Sequence, residues 1–139
     1  MATIQPSECG VFVQIWVDTN ALQNGSTTGV YLVDNNANNG SSNEGTTSLD
    51  TSVPTNTKIC WQVLNTNLNW DGKLSIANFG NAIVFGAGGT PTQVTGDTWT
   101  GQVQANGQAS YEINFNAQPS GGTGITTTVS PVLTVSNQS

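Results

Sequence analysis

The chain reads as an all-β protein, an antiparallel β-sandwich of jelly-roll or immunoglobulin-like style with about eight strands. Three observations carry that reading. Apolar residues recur with a period of two in short runs rich in Val, Ile, Trp, Tyr and Phe, and no run shows the 3.6-residue period of an amphipathic helix. Turn residues punctuate these runs at gaps of roughly 8 to 12 residues, the rhythm of a sandwich. The 139 residues match a single domain. We read 1–139 as that domain, with 1–9 and 136–139 as flexible ends.

The strand at mid-chain anchors the reading. In Lys58 to Leu64, Ile59, Trp61 and Val63 point one way, and Lys58, Cys60, Gln62 and Leu64 the other. Pro54 and Asn56 turn the chain into it, and Asn65, Asn67 and Asn69 end it, because Asn competes for backbone hydrogen bonds. Before it, Gly10 to Asp18 places Val11, Val13, Ile15 and Val17 on one face. Phe12 and Trp16 fall on the other, which implies burial on both sides or an exposed aromatic pair. Gly29 to Asp34 is the next strand, after a tight-turn signal at Asn24-Gly25. Asn35 to Asp50 is the longest loop, without hydrophobic periodicity.

After the central strand come Leu74 to Phe79 and a short apolar run, Asn81 to Phe85, then a loop from Gly86 to Thr92. Asp97 to Gln104 and Ala109 to Phe115 flank Asn106-Gly107 and read as the best hairpin of the chain. Thr126 to Val135 closes the sequence as one segment. Pro131 cannot donate to a central ladder, so this segment, around Thr134, reads as a sheet edge.

Composition excludes whole classes of function. There is no His, which removes Ser-His-Asp and Cys-His catalysis and His-based metal sites from a single chain. Lys58 and Lys73 are the only basic side chains and the net charge is −6, so nucleic acid and anionic membranes are not expected partners. No apolar stretch of about 18 residues exists to span a membrane. The start, MATIQPSECG, lacks a basic region followed by an apolar core, so no signal peptide is read. The expectation is a cytoplasmic protein, or one released by another route, and extracellular if the sequence is a mature form. Cys9 and Cys60 either pair, if their strands are neighbours, or stay as buried thiols acting as small hydrophobes.

In order along the chain, several pieces resemble the AidA/PixA inclusion-body protein family. They are Val17-Asp18-Thr19 at the end of the first strand, Tyr31-Leu32-Val33-Asp34, and Pro-Thr-Asn-Thr-Lys-Ile-Cys-Trp-Gln-Val around Trp61. Tyr111-Glu112-Ile113-Asn114-Phe115 and Ser130-Pro131-Val132-Leu133-Thr134-Val135 complete the set. The resemblance implies a small, abundant bacterial protein linked to host association or intracellular inclusions, with no catalytic residues to carry over.

Two functions from different classes follow. The first is a non-catalytic protein that self-associates into homo-oligomers or larger assemblies. So few cations leave its strand edges poorly protected against strand addition. The second is a carbohydrate-binding module or lectin. Trp70, beside Asn67, Asn69 and Asp71, would stack on a sugar while the polar side chains bond its hydroxyls, and Trp99 with Asp97 would share that end. Trp16 and Trp61 sit on strands and read as core. No cofactor is expected, although Asp34, Asn36, Asn38, Glu44 and Asp50 offer the hard oxygen ligands that Ca²⁺ takes. The loop does not match EF-hand spacing. Asp97 and Glu112 are the acids that a two-carboxylate hydrolase would use, but nothing beside them points to a raised pKa, and an enzyme is not expected.

Overall fold

The computed structural model describes residues 4–19, 29–36, 40–66, 72–80, 83–86, 89–95, 98–118, 121–122 and 124–136. Eleven strands lie among them: β1 Val11–Val17, β2 Val30–Asp34, β3 Asp50–Pro54, β4 Lys58–Asn65, β5 Lys73–Gly80, β6 Thr92–Thr95, β7 Thr98–Gln102, β8 Gly107–Ser110, β9 Glu112–Gln118, β10 Ile125–Val129 and β11 Val132–Ser136. Two short 3₁₀ turns, Pro6–Glu8 and Ile83–Phe85, accompany them. No helix among the described residues is long and apolar enough to cross a membrane.

The protein is all-β. Five strands form one sheet in the order β2-β1-β4-β7-β6, and two smaller sheets run β10-β9-β5 and β3-β11-β8. All three feed one buried cluster. The period-two faces of β1 (Val11, Val13, Ile15, Val17) and β4 (Ile59, Trp61, Val63) meet Ile113, Phe115 and Ala117 of β9 and Leu133 and Val135 of β11. Trp61 is fully buried at the centre. Its ring meets Phe79 at 4.9 Å, Phe85 at 5.6 Å and Tyr111 at 6.1 Å, edge to face, the arrangement aromatic quadrupoles prefer. Its indole N–H donates to the buried Tyr111 hydroxyl at 3.0 Å. Burial pushes the Tyr111 phenol well above its ordinary range, against the opposing effect of that bond.

The connectivity departs from the sequence expectation in ways that periodicity cannot encode. β1 pairs parallel with β4, and β3 with β11, while every other pair is antiparallel. A face pattern says which side a residue takes, not which way the neighbouring strand runs. The expected hairpin is absent: β7 pairs with β4 and β6, β8 with β11, and β9 with β5 and β10. Asn106-Gly107 does turn the chain, with Gly107 at φ 119, but it passes the chain between sheets. The Val103 N–H goes to the Thr57 carbonyl, and those of Gln104 and Ala105 go to the Val84 carbonyl. The end of β7 is therefore tied to other elements and not to β8.

The segment Thr126 to Val135 breaks at Ser130-Pro131 into β10 and β11. β11 is the central strand of its sheet, so Thr134 is not an edge. Pro131 lies in the break, where its missing N–H costs the ladder nothing. Asn81 to Phe85 ends in a 3₁₀ turn instead of a strand, and β3 and β6 form where no strand was expected. β6 starts after a tight crossing at Gly89, whose carbonyl accepts the Gln102 N–H at 2.9 Å. A Cβ at Gly89 would collide with the carbonyl oxygens of Gln102 and Phe85.

Candidate functional site

Of the expected sugar-binding end, Trp70, Asn67, Asn69, Asp71 and Asp97 lie outside the described residues. Trp99 does not stand at a loop tip. It sits half-buried on β7 against the core, its ring 5.5 Å from Phe79, and its Nε1 is buried without a hydrogen-bond partner. Of the two acids weighed for hydrolysis, Glu112 is exposed on β9 and Asp97 lies outside the described residues.

The acidic loop has a structural occupation. Asp34 accepts the Asn36 N–H at 2.9 Å and the Thr51 hydroxyl at 2.7 Å. Asp50 accepts the Thr134 hydroxyl at 2.7 Å and the Gln108 amide at 3.2 Å. Asn36 is buried and donates to the Ser41 hydroxyl at 2.9 Å and to the Ser52 carbonyl. Glu44 accepts the Asp34 N–H at 2.8 Å, and the Gly45 N–H donates to the Leu32 carbonyl at 2.7 Å. Ser42 and Asp50 exchange two backbone bonds, at 2.9 and 3.0 Å. The segment from Ser41 to Gly45 thus satisfies backbone groups along two sheet edges, β2 and β3, which would otherwise invite strand addition. Among the described residues no group of three or more His, Cys, Asp or Glu could hold a metal. Asn38 lies outside them.

Residues 4–9, read from sequence as part of a flexible end, lie across the outer face of the five-stranded sheet. The Ile4 carbonyl accepts the Thr100 hydroxyl at 2.8 Å, and Cys9 and Cys60 are joined as a disulfide with Cα atoms 5.9 Å apart, inside the normal range. Glu8 pairs with Lys58 at 3.2 Å. The Gln5 backbone N–H, and then Lys58, hold the Glu8 carboxyl below its ordinary value.

Beyond this strap the outer face is open and aromatic. Phe12 is 41% exposed, Trp16 36% and Tyr31 43%, so Trp16 is not core. Trp16 and Tyr31 are register partners across β1 and β2, and Phe12 lies on the same face of β1. Gln14, between the two β1 aromatics, accepts the Trp16 indole N–H at 3.3 Å. Two hollows flank it. One, of about 160 Å³, is lined by Pro6, Phe12, Gln14, Cys60, Gln62 and Thr98 among others. The second, of about 150 Å³, is lined by Phe12, Gln14, Val33, Asp34 and Asn35. The sequence signal for this face was the pair Phe12 and Trp16, out of phase with the apolar side of β1. What the sequence lacked was β2 as the neighbour that adds Tyr31.

A second surface is the outer edge of β10. This strand, Ile-Thr-Thr-Thr-Val, pairs with β9 on one side only. It carries no charge, Pro or bulge. Among the described residues no backbone bond reaches its other side.

The family model for a domain of unknown function, DUF8788, matches residues 9–123, and the chain belongs to that family. No curated protein matches it. Among solved structures, the crystal structure of the inclusion body protein PixA from Burkholderia cenocepacia aligns with a TM-score of 0.72 at 14% identity, covering 96% of this chain and 100% of that one. It is an inclusion-body protein of the kind the sequence features resemble, and at this identity the likeness carries the fold.

Proposed function

We propose that this DUF8788 protein is a single non-catalytic β-sandwich domain that acts by assembling with copies of itself, in the manner of an inclusion-body protein. The observation that carries the reading is the β10 edge. A five-residue strand of high β-propensity, uncharged and, among the described residues, unpaired on one side, is a template for a second strand. The edges of β2 and β3 are instead covered by the Ser41–Gly45 segment. Two copies meeting at β10 would join their β10-β9-β5 sheets into one of six strands, by the main-chain pairing of β-augmentation. The absence of His and Arg and the fold shared with an inclusion body protein support a structural role over a catalytic one.

Thr126→Lys tests it. Thr126 is exposed on β10 and gives up only a surface bond to Asn116, so the fold should survive. Light scattering should show smaller particles than wild type, with unchanged circular dichroism. Equal assembly by the variant would place the contact elsewhere. A wild-type protein that stays monomeric at high concentration would end the assembly reading.

A further inference from the structure

We propose that the outer face of β1, β2 and β4 binds an uncharged oligosaccharide. Phe12, Trp16 and Tyr31 form its floor, and Gln14 and Gln62 supply its polar contacts.

Phe12 and Trp16 are four residues apart on one strand face, roughly 13 Å along β1 at the usual strand rise. Tyr31 stands opposite Trp16 on β2. This is a flat platform longer than one sugar ring. Aromatic rings present apolar planes, which suit the C–H faces of pyranose rings.

Chemistry narrows the occupant. Gln14 and Gln62 are register partners on β1 and β4, and both line the 160 Å³ hollow beside Phe12. Gln14 uses its carbonyl oxygen on Trp16, so its amide hydrogens remain for a ligand hydroxyl. An apolar protein surface laid here would bury these amides without partners, at a cost comparable to a lost hydrogen bond. A sugar presents an apolar face and a hydroxyl edge together, and meets both demands.

Charge excludes the anionic alternatives. The platform residues are uncharged, and Lys58, the lysine on β4, is paired with Glu8 at 3.2 Å. Asp34 lines the neighbouring hollow, and the whole chain is at −6. An acidic glycan or a phosphate backbone would be repelled. The site goes beyond the assembly reading and lies in a different sheet from β10.

Calorimetric titration with neutral cello-, manno- and chitin-type oligosaccharides, with an oligogalacturonide as the anionic comparison, tests the proposal. At least one neutral series should bind and shift the Trp16 indole resonance, and the oligogalacturonide should not. Trp16→Ala combined with Tyr31→Ala should weaken binding roughly tenfold or more while the thermal midpoint holds, since both side chains are exposed. The proposal is overturned if no neutral oligosaccharide binds, or if Trp70→Ala abolishes binding and the sheet variant does not. It is also overturned if the sheet variant loses self-association while no sugar binds, because the face then belongs to a second copy.

Discussion

Glu44 was legible in the sequence as an acidic loop residue, but not as the group that closes a sheet edge. Its carboxylate accepts the Asp34 N–H, and partial burial, with the Asp34 carboxylate beside it, raises its pKa above the ordinary value. A carboxyl whose pKa is raised on folding is held in its protonated form more tightly by the native state than by the unfolded chain. Its contribution to stability therefore grows as pH falls through the raised value and shrinks as pH rises through it. Glu44→Gln is a permanently neutral counterpart that keeps an acceptor for the Asp34 N–H. At pH 7 its denaturant midpoint should equal or exceed that of wild type, and its stability should vary less with pH just above the usual carboxylate range. A lower midpoint at pH 7 would show that the ionised carboxylate is what secures the loop. Trp61 is the opposite case: its alternation with Ile59 and Val63 announced a core position, and the residue is wholly buried. Its neighbours Phe79, Phe85 and Tyr111 come from strands and turns whose pairing no local pattern records.

Strands with strong alternation were readable, and strands made by their surroundings were not. β1, β2, β4 and β5 fall within a residue or so of the expected runs. β3, with the sequence Asp-Thr-Ser-Val-Pro, has little apolar signal of its own. It becomes a strand because β11 pairs with it on one side and Ser41 and Ser42 satisfy it on the other. The same holds for the strap over 4–9, whose polar sequence reads as a free end until Cys9 is placed beside Cys60. Those two are 51 residues apart in the chain, and closing a loop of that length constrains the unfolded state by about 4 kcal/mol in the chain-entropy model. Replacing both cysteines with Ser should lower stability by up to about that amount and raise hydrogen exchange in the strand β4 that the strap crosses. Oxidised wild type with the same denaturant midpoint as reduced wild type would mean the bridge constrains nothing that matters for folding.

At the scale of the molecule, eight acids against two lysines set a repulsion that any assembly must overcome. Carboxylates near their reference values protonate between roughly pH 5 and 3, so particle size should rise as pH falls toward the pI of about 4.1. Added salt at pH 7 should act in the same direction by screening. The Ser41–Gly45 segment satisfies backbone groups along β2 and β3, so the growth should proceed through β10 and not through those covered edges. Simple loss of repulsion predicts that any added Lys promotes association wherever it sits. Edge pairing predicts a difference by place. Ser7→Lys, on the exposed 3₁₀ turn, should assemble as readily as wild type or more so, because it lowers the net charge to about −5 and leaves β10 alone. Thr126→Lys makes the same change in charge but puts the cation on the open strand, and it should assemble less. Ordered particles with retained β-sheet signal are the product to score, since amorphous precipitation near the pI is common to acidic proteins. If the two lysine variants behave alike, charge alone governs the association and the β10 edge has no part in it.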